Sequence, residues 1–263
     1  MLSYAKRMAA FATVAGAGAF LVRWLQTENI IDKETGLVER GAGISTVFVL
    51  VILLFFAILL AFSFKIKSES TPEQKVVIRG NGFLFVIWGI LAGLLIAVGG
   101  IYQLLVAASS AYKTMRIVLG VLELVVGVCV LFRMIRANNE EYGDAFRAMH
   151  VLFVLFACFY LITYYRENAA NPSTWSFAPE ILALCSLILA FYYTAGPWFQ
   201  EEKPIRSLCA CFTTEFFCIA SVVDFGFNPD AVIFAALALL MGVWGFSITR
   251  NLSRSDAFIK MDE

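Results

Sequence analysis

Glu123 and Glu215 each stand near the middle of a long apolar run. An ionised carboxyl at the centre of a bilayer is costly, by a few kcal/mol on insertion scales, so each group needs a partner or a proton. Two kinds of role are open to such a group. One is a protonatable or solute-binding position on a pathway through the membrane; the other is a hydrogen-bonded carboxyl with a purely structural task. Arg116, Gly120, Glu123 and Gly127 follow at spacings of four, three and four and therefore share one helical face. The glycines let a neighbouring helix approach that face, so Glu123 is expected to point into protein. Gln103, near the end of the preceding run, completes the candidate pathway set of Glu123, Glu215, Arg116 and Gln103. If Glu123 and Glu215 line one polar cavity, transport is the favoured function.

Cys211 and Cys218 flank Glu215 at i−4 and i+3 on the same face. Thiolate and carboxylate both bind zinc, but a structural site calls for four ligands, usually with histidine or Cys-x-x-Cys spacing, and neither occurs here. No metal and no cofactor is implied. All six cysteines, Cys129, Cys158, Cys185, Cys209, Cys211 and Cys218, lie in or at the edge of apolar runs, as free thiols acting as small hydrophobes do. Glu180 follows Pro179 at a helix start, where a carboxylate complements the positive end of the helix dipole. Asp224 reads as a helix end, and His150, the single histidine, as an interfacial residue beside Arg147 and Asp144. With one histidine the usual catalytic pairings cannot be assembled. No Gly-x-Ser-x-Gly elbow, His-Glu-x-x-His pair or phosphate-binding glycine loop occurs either, and no enzyme activity is expected.

The elements that must position these groups follow from composition. The chain is 60% hydrophobic and 15% charged, against about half and about a quarter for an ordinary soluble domain. The apolar residues fall into eight separate blocks, each near the roughly 20 residues that a helix needs to cross a bilayer. They run Met8 to Leu25, Ile44 to Phe64, Gly82 to Ala108, Thr114 to Phe132, Arg147 to Tyr165, Pro179 to Trp198, Arg206 to Asp224 and Asp230 to Thr249. The expected fold is all-α, a polytopic transmembrane helix bundle in a single integral membrane domain. Lys6 and Arg7 before an Ala/Gly-rich run also fit a secretory signal peptide. Arg23 and Trp24 close that run as an interfacial anchor instead, and a retained helix is expected.

The polar stretches between blocks, Ile30 to Gly43, Lys65 to Asn81 and Asn138 to Asp144, read as loops. Basic residues accumulate in cytoplasmic loops. Placing both termini in the cytoplasm puts fourteen of the twenty Lys and Arg residues on that side, so this orientation, in the plasma membrane, is expected. A net charge of zero without a basic face argues against a nucleic-acid partner.

Small residues recur at helical spacing, as Ala5, Ala9, Thr13 and Ala17 in the first span and Gly89 with Gly93 in the third. Such faces, with Gly120 and Gly127, let helices pack closely in lipid. The alanine face resembles the docking helix of the substrate-binding subunits of energy-coupling-factor vitamin transporters. Those subunits usually have six spans, and the eight counted here argue against membership. Two functions remain as expectations: a small-solute permease, with proton coupling as one form of it, and a non-transporting subunit, scaffold or regulator of a membrane complex. A membrane-protein partner or a homo-oligomer fits the second.

Overall fold

The computed structural model describes residues 2–29, 43–69, 83–138, 144–170, 176–196 and 203–259. The described residues form eight long helices and no strand. These are α1 (Leu2–Asn29), α2 (Gly43–Glu69), α3 (Phe83–Val106), α4 (Lys113–Asn138), α5 (Asp144–Asn168), α6 (Ala178–Ala195), α7 (Pro204–Phe225) and α8 (Pro229–Ile259), with one 3-10 turn at Ala107–Ser109 after α3. All eight are long and apolar enough to cross a membrane. Helices are the expected solution, because a spanning segment must satisfy its own backbone N–H and C=O groups where no water can. Most of the loop expected over Ile30 to Gly43, and most of Lys65 to Asn81 and Asn138 to Asp144, lie outside the described residues.

Several helices run past the limits of their apolar blocks. The fourth span was expected to stop at Phe132, but α4 continues to Asn138 and carries Arg133 inside the bundle, 1% exposed. The first was expected to stop at Leu25, but α1 continues to Asn29. Hydropathy marks the hydrocarbon, whereas a helix continues as long as its backbone bonds can be made.

Side-chain contacts fix how the helices alternate. Residues at the ends of α1, α3, α5 and α7 meet residues at the starts of α2, α4, α6 and α8 on one face, here termed distal. Gln26 reaches Ser45, Arg116 reaches Glu167 and Asp230, and Tyr102 donates to the carbonyl of Phe227 at 2.9 Å. On the opposite, proximal face Ser207 at the start of α7 donates to the carbonyl of Tyr193 near the end of α6, at 2.9 Å. The turn from α7 to α8 is tight because Gly226 adopts φ 57°, a left-handed conformation open to glycine, and Pro229 then starts α8.

The helices α7 and α8 form the centre, with α1, α3 and α6 packed on them and α2 on the rim against α1. An aromatic stack, Phe11 on Phe55 at 5.8 Å and Phe55 on Phe216 at 4.0 Å between ring centroids, ties α1, α2 and α7 together. The tightest seam joins α3 to α4. A Cβ added at Gly127 would lie 2.8 Å from both the Ala97 nitrogen and the Gly93 oxygen, and one at Gly100 would lie 2.8 Å from the Gly120 oxygen. Gly89 meets Met134 on the same seam. Backbone therefore touches backbone, which is the packing that small residues allow where lipid supplies no hydrophobic drive.

Gly127→Ala must push the two helices apart, and overpacking of this kind costs about 1–3 kcal/mol. Gly18→Ala gains the same helix propensity and meets nothing within 4 Å. Thermal unfolding of the two variants in one detergent checks the seam: the Gly127 variant is expected to lose stability relative to the Gly18 variant, and equal behaviour would show that the seam is not tight.

Candidate functional site

Among the described residues, four clusters built around buried charged side chains interrupt the apolar interior. The first is built around Glu215 on α7, 5% exposed. The Thr13 hydroxyl of α1 donates to Glu215 Oε1 at 2.7 Å, with the Ala9 carbonyl as its other acceptor at 3.3 Å. Glu215 Oε2 has no hydrogen-bond partner among the described residues. Across from it, Gly242 of α8 leaves the space the carboxyl fills, since a Cβ there would stand 3.1 Å from Oε1. Cys211 and Cys218 are buried one turn to either side, and among the described residues no three His, Cys, Asp or Glu side chains are grouped to hold a metal.

Glu215 lines a cavity of about 930 Å³. Its wall is otherwise almost wholly apolar, with Phe85, Trp88, Phe212, Leu239 and Phe246 among its members and Arg250 at the proximal end. The helices α1 and α3 pack on α8 and leave this groove between them. Trp88 and Phe246 are about half exposed on its rim, within membrane-spanning segments, so the groove opens sideways toward lipid. An apolar cavity with one inward-facing polar group is the usual form of a small-molecule site, the polar group fixing orientation.

The second group lies at the distal face. The Arg116 guanidinium donates through Nη1 to Asp230 Oδ1 and Oδ2 at 2.9 and 2.8 Å and through Nε and Nη2 to Glu167. One planar fork thus takes a carboxylate from α8 and another from α5, a pairing for which guanidinium is suited and ammonium is not. The Tyr160 hydroxyl donates to Asp230 Oδ1 at 2.6 Å. A cavity of about 310 Å³ adjoins the cluster, lined by Gln103, Ser109, Ser110, Tyr112 and Asn228 as well as Arg116, Glu167 and Asp230. Glu123 lies farther inside the bundle, fully buried, and lines neither this pocket nor the groove.

The third group pins the other distal helix ends. Arg23 is fully buried rather than an interfacial anchor. Its Nε donates to Asp224 at 2.9 and 3.0 Å, Nη1 to Gln26 Oε1 at 3.0 Å and Nη2 to the Ser176 carbonyl at 2.7 Å. Gln26 in turn donates to Ser45 of α2 at 2.9 Å. Asp224 is therefore an ion-pair acceptor as well as a helix end, and Glu180, fully buried, lies within electrostatic reach of both Asp224 and Arg23. The carboxyl expected to complement a helix start is inside the protein, because the distal ends of α1, α6 and α7 converge on it.

The fourth group is proximal: the Arg133 guanidinium lies 3.9 Å from the ring centroid of Trp244, with His150 buried beside Trp244 and Phe153.

The structure thus brings Arg116 and Gln103 to one pocket and leaves Glu215 in another; the two mid-span carboxyls do not share either cavity, so the shared site that would have favoured transport is not found, and on that criterion alone the subunit or scaffold expectation gains. Gly89, Gly93, Gly120 and Gly127 all lie on the α3–α4 seam, and Ala9 lines the groove. Asp230, Glu167, Tyr160 and Arg133 were not singled out from sequence, and Thr13 was named there only as a small packing residue. Met134 continues the face of Arg116, Gly120, Glu123 and Gly127, but Arg133 lies about 100° round the helix from it, so that face did not point to the arginine. Comparison with protein-family models, curated proteins and solved structures finds no match.

Removing one partner of a buried ion pair costs about 3–5 kcal/mol because the other charge is left uncompensated. Arg23→Ala is expected to show a loss of that size in detergent unfolding, and the double variant Arg23→Met with Asp224→Leu a smaller one. Equal losses in both would show that Asp224 does not depend on Arg23.

Proposed function

We propose that this chain is a carrier for a small amphiphile, largely apolar and bearing one cationic or hydrogen-bond-donating group, which enters the groove between α1 and α3 from the bilayer. The observation that supports this is Glu215: a carboxyl in the wall of an apolar cavity, held by Thr13 through Oε1, with Oε2 buried and without a hydrogen-bond partner among the described residues. A carboxyl oxygen without a partner in such a wall favours a donor on the ligand, and the surrounding aromatic and aliphatic side chains favour a hydrocarbon body. This narrows the permease reading to a solute that partitions into the membrane. No chemical step is part of it.

A brominated long-chain alkylammonium bound to the protein in nanodiscs tests the site. Quenching of Trp88, which lines the groove, is expected, and Trp88→Phe should abolish most of it. Loss of a charge-assisted hydrogen bond is worth about 1.5–3 kcal/mol, so Glu215→Gln should weaken binding by tenfold or more. Binding unchanged in the Gln variant, or quenching that survives in Trp88→Phe, would overturn the assignment. Movement is read separately, as protein-dependent transfer of the amine between leaflets of sealed vesicles.

We further infer that the proximal face, with both termini, is cytoplasmic and that the membrane is the plasma membrane. The support is the concentration of basic residues in the segments that join helices there. Single cysteines at Glu73 and Glu34, in a variant lacking the six native cysteines, are expected to react with an impermeant reagent from opposite sides of sealed cells. Reaction from the same side would reverse the conclusion.

The second reading, a non-transporting subunit, is favoured by α2. It packs chiefly on α1 and presents Leu50, Leu53, Leu54, Leu60 and Phe64 outward. A partner of fixed stoichiometry after gentle extraction, together with no amine binding, would select it.

A further inference from the structure

The groove leaves Glu123 unused. Its side chain is fully buried, and neither carboxyl oxygen has a hydrogen-bond partner among the described residues. The helix packed against it, α3, offers the bare backbone of Gly100 there, where an added Cβ would come within 3.0 Å of Glu123 Cβ. The groups that face it come from three helices. Its own helix supplies Arg116 and α8 supplies Asp230, both within electrostatic reach; α5 supplies Tyr160, likewise in reach, and Glu167 on the far side of Arg116. One guanidinium thus stands among three carboxyls. Arg116 is already engaged by Asp230 and Glu167, so a negative charge on Glu123 would be the surplus one, in the most enclosed position of the three. Buried charge of that kind is compensated or removed.

The distal pocket lies on the other side of the same cluster. Asp230 lines it, and the Tyr160 hydroxyl, hydrogen-bonded to Asp230 at 2.6 Å, is itself fully buried and within electrostatic reach of Glu123. Glu123 is too enclosed for a solute, and a proton is the one ligand small enough to reach it through hydroxyl and carboxyl oxygens. We propose that Glu123 is a proton-binding site that exchanges with the distal pocket through Asp230 and Tyr160.

The transfer balances. Solvent in the pocket gives a proton to Asp230; the Glu123 side chain, whose oxygens are not hydrogen-bonded to Tyr160 Oη in this arrangement, turns toward it, and Tyr160 Oη then receives the Asp230 proton as its own passes to a Glu123 carboxylate oxygen. Asp230 and Tyr160 end as they began, and one proton has moved from the pocket to Glu123. This site is independent of the Glu215 groove and stands or falls without it.

Infrared difference spectroscopy of the full chain in nanodiscs tests the proposal. The expected result is a carbonyl-stretch band of a protonated carboxyl that is absent from Glu123→Gln and shifts when water is replaced by D₂O. In Tyr160→Phe that isotope shift should develop about a hundredfold more slowly, at the low end of what a positioned proton-transfer group contributes. Glu123→Asp gives the same assignment by moving the band if the Gln variant does not fold. A band that persists unchanged in Glu123→Gln, or one that ignores D₂O, would overturn the site. An isotope shift as fast in Tyr160→Phe as in the unaltered chain would overturn the path.

Discussion

A charge inside a bilayer must find its counter-charge within the protein, and that constraint organises one whole face of this bundle. Arg116 gathers the start of α4, the end of α5 and the start of α8. Arg23 gathers the end of α1, the end of α7, the segment before α6 and, through Gln26, the start of α2. Among the described residues, α3 stands outside these two networks and is held by its backbone seam with α4 and by Tyr102. Each guanidinium reaches groups on several chain segments, which an apolar contact of the same size could not do directionally. The distal face is in this sense cross-braced, while the groove opens between helices that meet mainly through apolar and small side chains.

The order of apolarity along the helices inverts the rule of a soluble core. The most apolar helix, α2, is the least buried, whereas α7 and α8 are less apolar and the most buried. Lipid accepts hydrocarbon without cost, so a helix on the rim can be greasy all round, and polar groups are tolerated only where other helices surround them. Thr13, Glu215, Arg133 and His150 accordingly face the interior or the groove wall.

The eight spans were legible because hydrocarbon thickness imposes a length that composition reports directly. Which face of a helix would be covered was less so. In the first span the small residues Ala5, Ala9, Thr13 and Ala17 suggested one packing stripe, but Thr13 and Ala17 are exposed, and the buried stripe is Met8, Ala12, Gly16, Ala19, Arg23 and Gln26. Both stripes have helical spacing and small residues, and the choice between them is made by partners distant in sequence: Asp224 for Arg23, Phe216 and Ile219 for Gly16. The same dependence hid Asp230 and Glu167, which are ordinary helix-end carboxylates until Arg116 is brought to them. Glu123 was legible as buried because its own helix carries the evidence, in the glycines on either side.

The bracing at the distal face also makes α1 a lever. From Arg23, its fixed point, to Ala9 and Ala10 at the groove wall is about 20 Å along the helix, at 1.5 Å of rise per residue. A tilt of about 10° about that pivot therefore displaces the groove end by about 3–4 Å, roughly the thickness of a hydrocarbon chain, while moving Arg23 hardly at all. Thr13, about three-quarters of the way along the arm, would swing with it and draw its hydroxyl from Glu215. Widening of the groove and release of that carboxyl oxygen are then a single mechanical event.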